Sequence, residues 1–511
     1  MRDSLRLLTL AFVVSCTGAP AAEAHPLPPG FFVGASTAGF QVDMGCPTIA
    51  ASECTDPNSD WYQYATSPMT LALAQTHLSG EDPAVTSPGH YELYEHDFDL
   101  AQADGHTMFR MSLEWSRIFP TSTIGVDGFD ALHAIASPRA LAHYHAVFAA
   151  LRARGITPYV TVNHYTLPTW IHDGVGCTVD FASCTERGWA DPTRTIPEIA
   201  KYAGFVAEEF GGEVDWWATE NEPFAIVLPG YIFPSASRSN PPALTLRADL
   251  AKIVFNALIQ AHARMYDAIH AGDTTDADGD GIAADVGLVY AMAPVAPHDP
   301  NNMRDVQAAQ NVFYLWNMAF LNAVAGGVLD ADLTGMGTPQ ADLAHRMDHL
   351  GINYYVRIHV QGSASAALPA LSPLTTFNPL SIEQNEIYPR GIYELVTLVH
   401  QSFGIPVVIT ENDAQAVPRG DLAFEERSLI ETLQWLMRAS DEGAIVRGYL
   451  YWSLMDNYEW NSGTTLHYGL YAVDPHDPTR TRTARPTAPL LARIAHEHTI
   501  AADLVAQYPI Q

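Results

Sequence analysis

Two carboxylates stand close together in the segment WWATENEPF, which spans residues 216–224. Glu220 and Glu222 directly follow a hydrophobic run and precede a proline. A third acidic residue, Glu411, occupies a similar place far downstream, in the run IPVVITEN. Two carboxyl groups that face each other across one bond are the equipment for cleaving a glycosidic linkage. One protonates the leaving oxygen, and the other attacks the anomeric carbon or activates water.

For this chemistry the fold must bring Glu222 and Glu411 together. Short β-branched or aromatic runs alternate along the chain with longer segments of helical periodicity, which predicts an α/β fold, a single (β/α)₈ TIM barrel. Consecutive apolar residues in the runs are typical of parallel strands that are covered on both faces. The eight candidate strands are residues 31–37, 107–113, 156–164, 214–221, 286–292, 349–355, 405–412 and 446–454.

Active groups of such barrels lie at the carboxyl ends of the strands. Unusual polar or aromatic residues stand there in this sequence: His164, Asn221, Glu222, Tyr355, Glu411 and Trp452. Arg110 lies inside the second strand. Because a buried unpaired charge is very costly, Arg110 needs a carboxylate partner, either at the site or a structural acid such as Glu114.

Several motifs around these residues resemble those of family 1 glycoside hydrolases, the β-glucosidase family. TENEP at 219–223 is similar to the family's T-x-N-E-P motif, and ITEN at 409–412 matches most of I-T-E-N-G. The likeness extends over nearly the whole chain after residue 24. It is carried by FFVGASTAGFQVD, FRMSLEWSRIFP, VNHYTLPTW, GINYY and YWSLMDNYEW.

The resemblance implies a retaining exo-β-glycosidase that acts on terminal non-reducing β-D-glycosidic bonds, with a β-glucosidase expected. Glu222 would be the acid/base and Glu411 the nucleophile. Arg110 and Tyr355 are expected to keep Glu411 ionised, and Asn221 to bind the 2-hydroxyl of the sugar. Glu220, on the opposite face of the strand from Asn221, is interpreted as a structural or solvated carboxylate.

The remaining candidates resemble the family's sugar-binding residues. Ring hydroxyls would bind Gln41, His164, Glu459 and Trp460, and Trp452 offers an apolar face to the sugar. A carboxylate at Glu459 would repel a 6-phosphate, so the expected substrate is a neutral β-glycoside or oligosaccharide. Two alternatives stay open: a catalytically silent carbohydrate-binding relative, and a transglycosidase that uses the same site.

Composition narrows the range of partners. The chain of 511 residues has a net charge of −31 and only 16% charged residues. Such an acidic surface repels nucleic acid and anionic lipid, which require clustered basic groups. Neither a metal nor a cofactor is expected to be needed for the chemistry.

The first 24 residues read as a secretory signal, with Arg2 and Arg6 before an apolar run and an A-x-A site that ends at Ala24. Residues 25–511 are then the catalytic barrel. An alternative is a lipoprotein signal cleaved before Cys16, which would tether the protein to the membrane. The expected location is therefore secreted or periplasmic, or else lipid-anchored at the cell surface.

Export exposes the other four cysteines to an oxidising environment. Four cysteines allow three pairings. The predicted pairs are Cys46 with Cys54 and Cys177 with Cys184, because the members of each pair lie within one short loop.

Two further features concern local charge. Asp276, Asp278 and Asp280 stand at alternate positions before Gly281, which indicates either a structural calcium loop or a plain acidic turn. Asp413 replaces the glycine that usually ends the nucleophile motif. A carboxylate there would raise the pKa of Glu411 unless it points away.

Overall fold

A computed structural model describes residues 22–379, 382–413 and 422–510 of the chain. Eight parallel strands form a closed barrel in which each strand pairs with the next along the chain and the last pairs with the first. The predicted fold and all eight predicted strands are confirmed. The strands are β1 (Phe32–Ser36), β2 (Met108–Ser112), β3 (Thr157–Asn163), β4 (Trp216–Asn221), β5 (Asp285–Ala291), β6 (His349–Tyr354), β7 (Val407–Asn412) and β8 (Val446–Trp452).

Helices follow each strand and cover the barrel. Ser137 shows how one of them begins: its side chain accepts a hydrogen bond from the amide of Ala140, and Pro138 occupies the first helical position. The main helices are α1 (His90–Ala103), α2 (Pro138–Ala153), α3 (Pro192–Phe210), α4 (Ala248–Gly272), α5 (Met303–Phe313), α6 (Gly391–Phe403), α7 (Leu422–Asp441) and α8 (Thr487–Glu497).

Short strands decorate the barrel. A three-stranded sheet of Val295–Pro297, Arg357–Val360 and Glu383–Glu386 stands beyond β5 and β6. Three strand pairs lie elsewhere: His25–Pro26 with Thr499–Ile500, Val328–Leu329 with Thr338–Pro339, and Tyr471–Val473 with Arg482–Ala484. Among the described residues, no helix is both long and apolar enough to cross a bilayer.

The strands are buried on both faces, as their composition predicts. One small cluster fills the interior of the barrel, and a much larger core lies between the strands and the surrounding helices. The interior cluster consists of Met108, Tyr159, Trp216, Ala218, Val289, Val408 and Leu450.

A buried polar chain joins the amino-terminal half of the barrel. The hydroxyl of Tyr159 lies 2.6 Å from Nε2 of His349, whose Nδ1 lies 2.5 Å from Asp285. Arg447 donates to the other oxygen of Asp285 at 2.5 Å. Although burial alone would raise the pKa of Asp285, the opposing effects of His349 and Arg447 hold it below its usual value. These polar contacts therefore link β3, β5, β6 and β8 at the end of the barrel away from the predicted site.

Two disulfides close loops on the barrel, Cys46–Cys54 before α1 and Cys177–Cys184 before α3. Both predicted pairs are confirmed. Cys16 and residues 1–21 of the predicted signal lie outside the described residues.

Candidate active site

A cavity of about 500 Å³ opens at the carboxyl ends of the strands. Ten sequence positions were predicted to form the site or to support it, and nine of these line the cavity: Gln41, His164, Asn221, Glu222, Tyr355, Glu411, Trp452, Glu459 and Trp460. Arg110 is fully buried and hydrogen-bonds to two of them. The barrel thus gathers residues that are remote from one another in the sequence.

Asn221 and Glu222 are neighbours that face the same cavity, which an ideal strand forbids because successive side chains alternate. The pairing of β4 with β5 slips after Ala218, so that Asn221 pairs with Val289. Glu222 then adopts a left-handed conformation with φ of 45° at the start of a short helix. This costly backbone geometry turns both side chains toward one space.

Arg110 organises the base of the cavity. Its Nη1 donates to Oε1 of Glu411 at 2.6 Å, its Nη2 to Oδ1 of Asn221 at 2.7 Å, and its Nε to Oγ1 of Thr161 at 2.9 Å. Arg110 therefore pairs with Glu411 rather than with Glu114. Its three contacts connect β2 with β3, β4 and β7.

The two carboxyl groups differ in their remaining partners. Tyr355 donates to Oε2 of Glu411 at 2.6 Å, so this carboxyl contacts a guanidinium and a phenol. Glu222 receives hydrogen bonds from neutral groups, the hydroxyl of Tyr165 at 2.6 Å and the amide of Asn353 at 2.7 Å. Of these two carboxyl groups, only Glu411 has a cation among the hydrogen-bond partners named here.

Burial dominates the ionisation of Glu411. It raises the pKa of Glu411 to about 7, although the Arg110 charge and the Tyr355 hydrogen bond act in the opposite direction. Whenever Glu222 is ionised, its charge raises this pKa further. The sequence correctly suggests two stabilising partners, but it does not reveal that desolvation outweighs them. The ionised fraction of Glu411 therefore grows as pH rises through about 7.

The predicted sugar-binding end has polar atoms without protein partners. Gln41 donates to Glu459 at 2.9 Å and to Asn457 at 3.0 Å, while its own oxygen is buried and accepts no hydrogen bond from the described residues. Burial raises the pKa of Glu459 to about 7 against the opposing charge of Arg238. These groups offer hydrogen bonds to hydroxyls of a ligand.

His164 is held as a neutral donor. Because Oδ1 of Asn221 accepts from Arg110, Nδ2 of Asn221 must donate to Nε2 of His164, at 3.1 Å. The proton of the ring then lies on Nδ1, which is buried and has no partner among the described residues. Burial, aided by the Arg110 charge, lowers the pKa of His164 well below its usual value, so Nδ1–H is available to a ligand oxygen.

Comparisons with known proteins agree with this geometry. The model of glycosyl hydrolase family 1 matches residues 23–500. The chain belongs to glycosyl hydrolase family 1. It is 32% identical to a β-galactosidase of Pyrococcus woesei over 88% of this chain and 92% of that protein.

Two more comparisons cover almost the whole molecule. A β-galactosidase of Saccharolobus solfataricus is 31% identical over 94% of this chain and 97% of its own length. The crystal structure of the β-glycosidase of Thermosphaera aggregans superposes with a TM-score of 0.78 at 28% identity, over 95% of this chain and 100% of that one. This family 1 chain is therefore a glycosidase, and its preferred sugar is not fixed by these relatives.

Three residues of this family 1 site are not predicted from the sequence: Tyr165, Asn353 and Arg238. Tyr165 lies beside His164 in VNHYTLPTW, and its hydroxyl accepts from Asn221 at 3.0 Å while it donates to Glu222. Asn353 stands in GINYY two residues before Tyr355, so motif membership signals both.

Arg238 has no comparable motif. Its guanidinium lies 4.9 Å from the ring centroids of both Tyr165 and Trp460, and its Nη1 is 3.6 Å from Oε1 of Glu459. It reaches the glycosidase cavity from the long loop after β4, and only the folded loop reveals that placement.

Asp413, the departure next to Glu411, is turned toward β8. Its Oδ1 accepts a hydrogen bond from the hydroxyl of Tyr451 at 2.9 Å. Burial, Arg110, Glu222 and Tyr355 are the main influences on Glu411, and Asp413 is not among them. The Asp413 carboxylate thus points away from Glu411. Its charge therefore has little effect on the pKa of Glu411.

Glu220 does not line the glycosidase cavity, in keeping with its assignment to the other face of the strand. It is fully buried, and neither of its oxygens has a hydrogen-bond partner among the described residues. It is therefore a structural residue and not a solvated one. Burial alone raises the pKa of Glu220 well above its usual value, so the folded protein keeps this carboxyl protonated.

In the acidic loop, the aspartates that lie close together are not the three that the sequence pattern suggests. Carboxylate oxygens of Asp215, Asp276 and Asp278 lie within 4.8 Å of one another. Asp280, the third predicted ligand, instead caps the amide of Ile282 at 2.8 Å. Asp215 directly precedes β4, so this cluster lies at the amino-terminal end of the barrel. Calcium at Asp276, Asp278 and Asp280 stays a prediction.

We predict that Glu220→Gln stabilises the protein more at pH 8 than at pH 5. The unfolded chain releases the proton of Glu220 above its ordinary pKa, whereas the folded chain keeps it. The contribution of Glu220 to wild-type stability must therefore fall as pH rises, by at most about 1.4 kcal/mol per pH unit. Glutamine has no such proton. Urea unfolding at several pH values measures the difference.

Glu208→Gln is the matched control, because Glu208 is exposed on α3. Its effect on the free energy of unfolding should be small and should not grow between pH 5 and pH 8. A constant difference between wild type and Glu220→Gln across this range would contradict a buried, protonated Glu220.

Proposed function

We propose that the protein is a retaining exo-β-glycosidase that hydrolyses terminal non-reducing β-D-glucosides, with Glu222 as acid/base and Glu411 as nucleophile. The observation that carries this proposal is the unequal environment of the two carboxyls in one cavity. Arg110 pairs with Glu411, whereas Glu222 contacts the neutral groups of Tyr165 and Asn353. A nucleophile must be an anion, and an acid must hold a proton.

The first chemical step forms one bond and breaks another. An oxygen of Glu411 attacks the anomeric carbon, the bond from that carbon to the leaving oxygen breaks, and the proton of Glu222 passes to that oxygen. Arg110 and Tyr355 hold Glu411 in place for the attack. A glycosyl ester on Glu411 and a free alcohol result.

The second step returns the enzyme to its starting state. Glu222, now a carboxylate, takes a proton from water as the water oxygen attacks the anomeric carbon, and Glu411 leaves as an anion. Asn221 is fixed beside both carboxyls by Arg110 and Asn353, which supports a role in binding the 2-hydroxyl of the sugar. Attack from opposite faces in the two steps retains the anomeric configuration.

Three groups support a neutral sugar. The free oxygen of Gln41, the Nδ1–H of His164 and the carboxyl of Glu459 supply both donors and acceptors to ring hydroxyls. A site built from such groups rejects ligands that leave them unpaired. We propose glucose as the sugar because these residues resemble the sugar-binding residues of the family. We propose that its 6-hydroxyl is unphosphorylated because the carboxylate of Glu459 would repel a phosphate.

We also propose that the protein is exported, either free or tethered through Cys16. The basic and then apolar start of the sequence supports this proposal. The two disulfides support it as well, because disulfides persist in oxidising compartments.

The function is tested by comparing wild type with Glu222→Ala on two β-glucosides. We predict that wild type hydrolyses both dinitrophenyl and methyl β-glucoside. Glu222→Ala should lose roughly 10²–10⁴-fold in kcat/KM on the methyl glycoside, whose alkoxide needs a proton to leave. It should lose far less on the dinitrophenyl glycoside, whose phenolate leaves without one.

Two results would count against the proposal. Equal losses on both substrates would remove the acid role of Glu222. No release by wild type from aryl β-glucosides, galactosides or fucosides at any pH would favour a protein that binds carbohydrate without cleaving it. Rates on these three sugars also measure the sugar preference.

Tyr165→Phe tests the neutral partner of Glu222. We expect a roughly 10- to 100-fold loss in kcat on methyl β-glucoside, since Glu222 becomes a carboxylate as it gives up its proton and a hydrogen bond to a charged group contributes about 1.5–3 kcal/mol. KM should change little, because Tyr165 acts through Glu222. Tyr393→Phe is the control: its hydroxyl donates to Glu442 on the protein surface. Similar kcat for Tyr165→Phe and this control would exclude a positioning role.

A further inference from the structure

Glu114 is a buried carboxyl that lies outside the cavity. It is 1% exposed and does not line the space around Glu411. It follows β2 by two residues, and its own amide donates to the hydroxyl of Tyr144 on α2 at 2.9 Å. Burial raises the pKa of Glu114 to about 7, against the opposing effect of a hydrogen bond from Thr166. Because burying a carboxyl is costly, the hydrogen bonds that it makes in return indicate its role.

One oxygen of Glu114 holds the loop after β1. Oε1 accepts from the amide of Phe40 at 3.1 Å. It also accepts, at 3.2 Å, from the hydroxyl of Ser112, which in turn accepts from the amide of Gly39 at 2.8 Å. These are the first two amides of the short helix that carries Gln41, and such amides have no partner within their own helix. Two residues at the end of β2 thus cap this helix.

Gly39 allows the carboxyl to come this close. A Cβ atom at position 39 would lie 2.8 Å from Oε1 of Glu114 and 3.0 Å from its Cγ. Any larger residue would therefore displace either the carboxyl or the start of the helix. The second glycine of the motif FFVGASTAGFQVD is thus fitted to the contact with Glu114.

The other oxygen of Glu114 holds the loop after β3. Oε2 accepts from the hydroxyl of Thr166 at 2.7 Å. The amide of Thr166 bonds to the carbonyl of His164 at 3.0 Å, and its carbonyl accepts from the side chain of Asn163 at 2.9 Å. Between them Tyr165 has a φ of 72°, a costly conformation that persists only where the surroundings hold it. Glu114 therefore helps to fix the turn that presents His164 and Tyr165.

The two loops meet at one aromatic ring. Trp460 lies nearly parallel to Phe40 of the first loop, with ring centroids 5.3 Å apart, and to His164 of the second loop, at 5.9 Å. The loops also carry three residues that line the cavity: Gln41, His164 and Tyr165. A change in the spacing of the loops would move all of these groups relative to a bound sugar.

We propose that Glu114 is a positioning residue, whose two oxygens fix the loops after β1 and β3 and so set the spacing between Gln41 and His164. Glu114 touches no substrate and acts through the residues on these loops. The inference rests on the proposed function, because it takes Gln41 and His164 as groups that bind the sugar and Tyr165 as a partner of the acid.

Thr166→Val tests this role with a small change. Valine keeps the shape of threonine but donates no hydrogen bond to Glu114. We expect kcat/KM for methyl β-glucoside to fall roughly 10- to 100-fold, because a displacement of about 1 Å in an active site can cost about 100-fold in rate. Steady-state kinetics measures the loss.

Thr123→Val is the matched control. Thr123 is buried like Thr166, and its hydroxyl donates to the buried carboxyl of Glu198 at 2.6 Å, but neither residue of this pair lines the cavity. Both variants should lower Tm by a similar amount, since each removes one donor from a buried carboxyl. Thr123→Val should keep kcat/KM within twofold of wild type. Equal values of kcat/KM in the two variants would overturn the proposal.

Two changes of Glu114 itself separate its hydrogen bonds from its bulk. Glu114→Ala removes the acceptors and should lose at least as much kcat/KM as Thr166→Val. Glu114→Gln keeps an oxygen for the amide of Phe40, and its NH₂ group can donate to the hydroxyl of Thr166. It should therefore recover most of the lost activity. Glu114→Ala as active as wild type would exclude the role, and if this variant does not fold, Thr166→Val decides.

Hydrogen exchange tests the contacts without turnover. Peptides that contain Phe40 or Thr166 should exchange at least threefold faster in Thr166→Val than in Thr123→Val. If wild type hydrolyses no β-glucoside but these peptides exchange faster, the proposed function fails and the role of Glu114 in fixing the loops stands. If wild type is active and neither exchange nor kcat/KM differs between the two variants, the proposed function stands and the role of Glu114 is wrong.

Discussion

The buried ion pair between Arg110 and Glu411 is the interaction on which the site depends. Arg110 is fully buried, and Glu411 is only 4% exposed. Taking two charges out of water is expensive, and removing one partner of such a pair costs about 3–5 kcal/mol. The attraction between the two charges offsets this cost, because β2 and β7 hold Nη1 of Arg110 2.6 Å from Oε1 of Glu411. The same guanidinium orients Asn221, and through it His164.

The pair is a compromise between two physical demands. Burial away from water strengthens the electrostatic contacts of the site, but it also raises the pKa of Glu411 to about 7. Arg110 and Tyr355 lower the pKa of Glu411 again and so offset part of the effect of burial. Glu222 faces the same cavity without a guanidinium of its own, which separates the roles of two chemically identical carboxyls.

The sequence predicts most of the fold because strand composition and strand ends are local signals. Runs such as ITPYVTVNH are apolar at successive positions, and a covered parallel strand requires this pattern. Glu222 and Glu411 are found because strands of a barrel end on one face, whatever their separation along the chain. The disulfides follow from the same kind of proximity within a loop.

What the sequence misses depends on loops and on competing energies. Arg238 reaches the cavity only because its loop folds back over Tyr165 and Trp460. Asp215 replaces Asp280 in the acidic cluster because the start of β4 lies beside a remote loop. The pKa of Glu411 depends on opposing contributions, of which burial is the largest, and a motif states none of their magnitudes.

The central claim is that Glu411 carries the sugar between the two steps, and covalent trapping tests it most directly. A 2-deoxy-2-fluoro-β-glucoside with a dinitrophenyl leaving group slows both steps but lets the first proceed, so an intermediate accumulates. Mass spectrometry of the intact protein and its peptides should find one fluoroglucosyl group, attached at Glu411. Attachment at Glu222, or no adduct in a protein that hydrolyses dinitrophenyl β-glucoside, would contradict the account.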